Sequence, residues 1–273
     1  MIVDVLLPSV LFLIGVIVVF LYSRLDKKVD QLVAGQELRL KHAILLVVAI
    51  GVMVTVIVSI PQYALLGIFL FAYTAILFLF TYLIVPKWYL AAVPPVLFIL
   101  SFFYCWNIYL FNFFAIIFGI SIAVYMGSLF TWKTTVAFAA LVTIMDIIQV
   151  LITGHMEGAF ETAQTIGVPA FIKLPTFPTM GITYLGLGDV FLFGLLSIQT
   201  TRKYGKKYGL KSIILMTLVY LLLQTILLNY YPLTNGFPAT VLVVSGWLTS
   251  LGAKHLYDSF VSKKGSKVTT GLI

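Results

Sequence analysis

From Val5 to Ala253 the chain is a near-continuous succession of apolar runs, each about as long as a helix that crosses a bilayer. In hydrocarbon every backbone polar group needs an internal partner, so such runs fold as helices. Nine can be marked: 5–22, 43–60, 64–85, 90–106, 108–130, 134–153, 181–200, 212–230 and 237–253. Breakers separate most of them. Pro61-Gln62 ends the second, Pro86-Lys87 ends the third, and Pro232-Leu233-Thr234-Asn235-Gly236 precedes the ninth. Pro94-Pro95 should kink or shorten the fourth, and Asn107 alone divides it from the fifth. The expected fold is an all-α polytopic membrane protein, one membrane domain over residues 1–273 with nine transmembrane helices. Composition agrees. At 62% hydrophobic and 10% charged, against roughly 45–50% and 25% for soluble domains, the chain has too much apolar surface for one soluble core.

Charge sets the expected orientation. Under nine spans, 16 of the 17 Lys and Arg fall in the odd-numbered loops and the tail, and only Lys173 falls on the other side. Positive charge marks the cytoplasmic face, so the N-terminus and the 154–180 connection are expected outside and the C-terminus in the cytoplasm. The first run lacks a basic flank on its N-terminal side and Asp4 precedes it, so it reads as a retained span and not a cleaved signal. The net charge of +8 suggests contact with anionic lipid headgroups. Nucleic acid is the poorer partner, because the basic residues flank apolar spans. Cys105 is alone, which excludes an intrachain disulfide. The tail from Lys254 is polar and expected to fray.

Two acids interrupt this pattern. Of six Asp and three Glu, only Asp146 and Asp189 lie well inside long apolar runs. Each costs about 2.5–3.5 kcal/mol to insert, so each marks a functional site, a helix-packing group or a station on an ion or proton path. Asp146 lies eight residues before Gly154, and Asp189 eight residues after Gly181. In antiparallel neighbours rising ~1.5 Å per residue, both carboxyls would sit about 12 Å below the outer ends of their helices. Thr143, Asp146, Gln149 and Thr153, spaced by three, three and four, form one polar stripe able to line a wet cavity. Gly186 and Gly188 remove bulk beside Asp189 and permit close helix approach. Two carboxyls in contact at low dielectric share a proton. One can then take a proton from water while the other polarises a scissile carbonyl.

With these residues in view, the chain resembles the presenilin and signal peptide peptidase family of intramembrane aspartyl proteases. The resemblance rests on nine spans, on Asp146 in the sixth, on Gly186-Leu187-Gly188-Asp189 in the seventh, and on Pro238-Ala239-Thr240 opening the ninth. It implies a presenilin-like fold and hydrolysis of peptide bonds in single-span membrane proteins or signal peptide remnants. Asp146 and Asp189 would be the catalytic pair, with Pro238, Ala239 and Thr240 beside the substrate groove. On sequence alone Pro238 also reads as a first-turn helix proline. Two positions depart from the family pattern: Met145 stands where Tyr is usual, and Thr240 where Leu is usual. Thr240→Leu, which restores the pattern, should then be tolerated, whereas Gly188→Leu should crowd the sixth and seventh spans. The short connection implies an uncut chain, and the size resembles that of prokaryotic, archaeal members. An outside connection makes the orientation signal-peptide-peptidase-like.

Other chemistries fit less well. Prepilin-peptidase-like proteases also use Gly-x-Gly-Asp, and an ion- or proton-coupled transporter or leak channel could use an acidic pair. No His-Glu-x-x-His occurs, and His42, His155 and His255 sit at span ends, away from Ser245. No metal or organic cofactor is implied, since water and two carboxyls suffice. Residues Ile166–Phe177 read either as an interfacial loop or as a strand that pairs with an unwound substrate.

Overall fold

The computed structural model describes residues 3–32, 36–176, 181–230 and 237–269. Pro178 and the Pro232–Gly236 breaker lie outside the described residues. Helices dominate: α1 (Leu6–Leu32), α2 (Leu40–Val56), α3 (Gln62–Ile84), α4 (Trp88–Ala91), α5 (Val93–Tyr104), α6 (Ile108–Leu129), α7 (Trp132–Ile147), α8 (His155–Ile166), α9 (Leu187–Tyr204), α10 (Lys206–Tyr230) and α11 (Ala239–Thr269). Among the described residues six helical stretches are long and apolar enough to cross a membrane: Leu6–Val29, Leu40–Ser59, Gln62–Ile84, Ile108–Leu129, Trp132–Ile152 and Lys206–Tyr230. The protein is a predominantly helical membrane protein.

Local signals explain several boundaries. A 3₁₀ turn, Ile57–Ser59, ends α2 ahead of Pro61. The fourth run splits at Ala92 into α4 and α5, where Pro94 and Pro95 occupy the first turn of the new helix. Asn107 caps α6 by accepting from the Tyr109 and Leu110 amides, both at 3.0 Å. Thr131 and Thr134 form a reciprocal capping box at the start of α7.

Other expectations need correction. The connection 154–180 contains α8, flanked by Gly154 and Gly167 at φ 68° and 76°; glycine takes this left-handed backbone without a steric penalty. The seventh run does not begin as a helix. Ile182–Gly186 is a strand, β2, paired antiparallel with β1 (Phe171–Pro175), and α9 starts only at Leu187. The expected 12 Å of helical rise to Asp189 therefore does not apply. The tail does not fray at Lys254, since α11 continues to Thr269. It has exposed, charged turns that include a Lys254–Asp258 pair at 2.5 Å, one helical turn apart.

The core is arranged around α9, which packs against α1, α6, α7, α10 and α11. Leu192 to Thr200 are buried without interruption. A central helix meets protein and not lipid, so it can carry polar groups if they are paired. Gln199 donates to the Gly127 and Phe130 carbonyls at 2.8 and 2.7 Å, closing the end of α6, and Trp247 donates to the Thr200 hydroxyl at 2.9 Å. The α6–α9 seam is made of small residues. Gly119, Ala123 and Gly127 meet Val190, Gly194 and Ile198, each set spaced by four. A side chain begun at Gly119 or Gly127 would stand 2.5 or 2.7 Å from Val190 or Ile198, so the two backbones approach because these glycines have none.

A second, aromatic cluster lies beside this core. Tyr73, Phe98, Phe114 and Phe118 pack between α3, α5 and α6 and extend to Phe171 of β1. Asn112 of α6 then grips the strand, donating to the Lys173 carbonyl at 2.7 Å and accepting from its amide at 2.8 Å. One edge of β1 is held by β2 and the other by Asn112.

Candidate active site

Asp146 is the last residue but one of α7. Beyond it the helix widens into a π turn, Ile148–Ile152, closed by the Thr153 amide on the Ile148 carbonyl at 2.9 Å. The widening shifts Thr153, which follows the π turn, out of the expected phase. Gln149 is buried and donates to the Gly51 carbonyl of α2 at 2.9 Å, so it is a helix-packing group and does not line a wet cavity. Thr143 turns its hydroxyl onto the Ala139 carbonyl of its own helix at 2.7 Å. Gln149 thus leaves the expected stripe as a packing group, and Asp146 is the member that meets α11.

Met145 takes a defined place in the same junction. A Cβ at Gly51 would stand 1.5 Å from its Cε, so the missing side chain of Gly51 makes the notch that Met145 fills. Met145 is thus matched by a glycine on the opposing helix. Gly51 thus receives two groups from α7, the Met145 methyl against its Cα and the Gln149 amide on its carbonyl.

Asp189 sits in a different setting. Gly186 ends β2 and is the N-cap of α9, which makes Asp189 the third helical residue. Its carboxyl folds back onto the Gly186 amide, the local half of a capping box. A Cβ at Gly186 would stand 3.0 Å from Asp189 Oδ2, so a side chain there would crowd that fold-back. Gly188 differs: it is exposed, and a Cβ there would meet nothing within 4 Å. The expected crowding of the sixth and seventh spans by a side chain at Gly188 is not what its surroundings predict. Leu187 packs between the two hydrophobic clusters, near Gly119.

The two carboxyls lie within electrostatic reach of each other, both partly exposed. The third motif joins them. Pro238 is buried just ahead of α11, its carbonyl accepting from the Val241 amide at 3.1 Å, and Ala239 opens the helix. Thr240, itself buried, donates its hydroxyl to Asp146 Oδ2 at 2.6 Å, and its amide faces the same carboxyl. Leucine could not supply that hydroxyl, so the expectation that Thr240→Leu is neutral gives way to a loss of hydrogen bonding.

Sequence reasoning missed a buried polar group on the far side of Asp189. Asp4 is only 2% exposed; it accepts from the Leu6 amide at 3.2 Å and from Gln224 at 3.3 Å. Tyr220, one turn before Gln224 on α10, is buried within electrostatic range of both Asp4 and Asp189. The signal was present as two polar residues four apart in an apolar helix. Among the described residues no group of three or more His, Cys, Asp or Glu is placed to hold a metal ion. No family model matches the chain, and no curated protein sequence does so either.

Proposed function

We propose that this chain is an intramembrane aspartyl endopeptidase of the presenilin and signal peptide peptidase type. Asp146 and Asp189 are its catalytic pair. The observation that carries this reading is the convergence of three separated motifs. Asp146 accepts from Thr240 at 2.6 Å and lies within electrostatic reach of Asp189. One carboxylate takes a proton from water as the water attacks the peptide carbonyl, and the other, protonated, donates to the carbonyl oxygen. The nitrogen then leaves with a proton from the pair. The full architecture is nine membrane-spanning elements, with α4–α5, α9 and α11 added to the six long apolar stretches. The N-terminus lies outside and the C-terminus in the cytoplasm, as the Lys and Arg distribution favours.

The hairpin gives the substrate a place to unwind. A helix shields its peptide bonds, and an extended peptide can instead add to a sheet edge. The strand expected from residues 166–177 is already held on both sides, by β2 and by Asn112. Among the described residues the edge that remains is that of β2, which runs directly into the turn carrying Asp189. The substrates are single-span membrane segments or signal peptide remnants, preferred with their N-termini in the cytoplasm.

Cleavage of a single-span test substrate by the purified protein in detergent tests the reading. Wild type should cleave, and Asp146→Asn and Asp189→Asn should not, while keeping wild-type helicity. Substantial cleavage by either folded variant sinks the pair. The buried Asp4–Gln224 couple beside Tyr220 favours one rival, passage of protons or ions past Asp189. Proton flux into proteoliposomes without any proteolysis would favour that rival.

A further inference from the structure

The basic end of α10 has a feature that neither carboxyl uses. Lys207, Tyr208 and Lys211 of α10, with Lys254 and Tyr257 of α11, line a cavity of about 450 Å³ that reaches inward to Leu215. Its wall is braced: the Tyr208 hydroxyl donates to the Ser250 carbonyl, and the Ser212 and Ser250 hydroxyls bond at 2.8 Å. Lys254 is neutralised by Asp258 at 2.5 Å. Lys207 and Lys211 are exposed, one turn apart, and among the described residues neither is in an ion pair. Two unpaired ammonium groups beside tyrosines, at the end of an apolar helix, suit an anionic headgroup at a membrane interface.

An apolar track leads away from these lysines. Leu210, Ile214, Leu218 and Leu222 recur every four residues, and all are exposed. A second cavity of about 400 Å³ lies between α10 and α1, with Phe12, Leu13, Ile214, Leu218 and Leu221 in its lining. Lys211 and Leu221 are ten residues apart, about 15 Å of helix at 1.5 Å per residue. That distance suits an acyl chain attached to a headgroup held at the lysines.

We propose that α10 holds one anionic phospholipid. Its phosphate sits between Lys207 and Lys211, edged by Tyr208 and Tyr257. One acyl chain runs along Ile214 and Leu218 into the groove against α1. A zwitterionic headgroup brings its own ammonium to the lysines and is disfavoured.

The test is lipid retention by the purified full chain, read by native mass spectrometry after incubation with phosphatidylglycerol or phosphatidylcholine. Phosphatidylglycerol should be retained and phosphatidylcholine lost. Lys207→Gln and Lys211→Gln should each lower phosphatidylglycerol retention about five-fold, and Lys211→Arg should preserve it. The single variants carry the result if the double variant does not fold. Millimolar inorganic phosphate should not displace the lipid. Equal retention of the two lipids overturns the proposal, as does unchanged retention in folded Lys→Gln variants. Displacement by phosphate alone assigns the cavity to a soluble anion and also overturns it.

Discussion

Asp146 and Asp189 are set differently in their helices. Asp189 lies in the first turn of α9, where unpaired backbone amides favour negative charge and the Gly186 amide is within its own motif. Its setting is local, contained in Gly186-Leu187-Gly188-Asp189. Asp146 lies inside the helical stretch Trp132–Ile152, just before its π turn, and its donor comes from Thr240, 94 positions away. Its setting is tertiary. One member of the pair is therefore prepared by neighbouring residues, and the other depends on the helices being correctly assembled.

Substitutions can break that comparison in order of expected size. Loss of either carboxyl should abolish the difference: Asp146→Asn and Asp189→Asn should each lower kcat by about three orders of magnitude or more, since groups that act as a unit fail together. Unequal losses would mean that the two do not act as a pair. The local setting is tested next. Gly186→Ala crowds the Asp189 carboxyl and should lower kcat/KM by roughly tenfold, whereas Gly188→Ala, with open space around it, should be near neutral. Equal losses at the two glycines would remove the distinction drawn from their surroundings.

The tertiary setting is tested by Thr240. A hydrogen bond to a charged group contributes about 1.5–3 kcal/mol, so Thr240→Val should lower kcat/KM at least about tenfold. Thr240→Ser should retain activity, and Thr240→Leu should behave like Val. Full activity in the Val variant would make the 2.6 Å contact incidental. The smallest effect on turnover is expected at Gln149→Leu, which removes the interhelix hydrogen bond to the Gly51 carbonyl and leaves that carbonyl its bond from the Thr55 hydroxyl at 3.0 Å. It should lower stability by about 0.5–1.5 kcal/mol, measured as a drop in Tm, and leave substrate selectivity unchanged.

Hydropathy located the apolar helices well because lipid leaves the backbone few choices. Capping residues such as Asn107 and Thr131 sharpened boundaries that hydropathy left blurred. The failures have a common physical origin. Residues Ile182–Gly186 are as apolar as the helix after them, so a hydropathy window merges strand and helix. Their Ile, Thr and Tyr, bounded by Gly181 and Gly186, were the available strand signal. The π turn has no such signature, and the bond that makes Gln149 a packing group reaches Gly51, 98 positions away. Both acids were legible from their cost in an apolar run. The donor on Asp146 was not, since no spacing rule connects Thr240 to it.

The seam of Gly119, Ala123 and Gly127 against Val190, Gly194 and Ile198 has a mechanical consequence. Two backbones pressed together through interlocking side chains on a four-residue pitch cannot slide or separate without opening a void along their whole length. Asp189 is therefore mounted on the stator of the molecule. Asp146 is mounted on α7, whose hold on α2 at this level is the Met145 methyl in a notch and the Gln149 amide on a carbonyl. The Asp146 side is therefore the less tightly interlocked of the two, held by α2 at Gly51 and by α11 through Thr240.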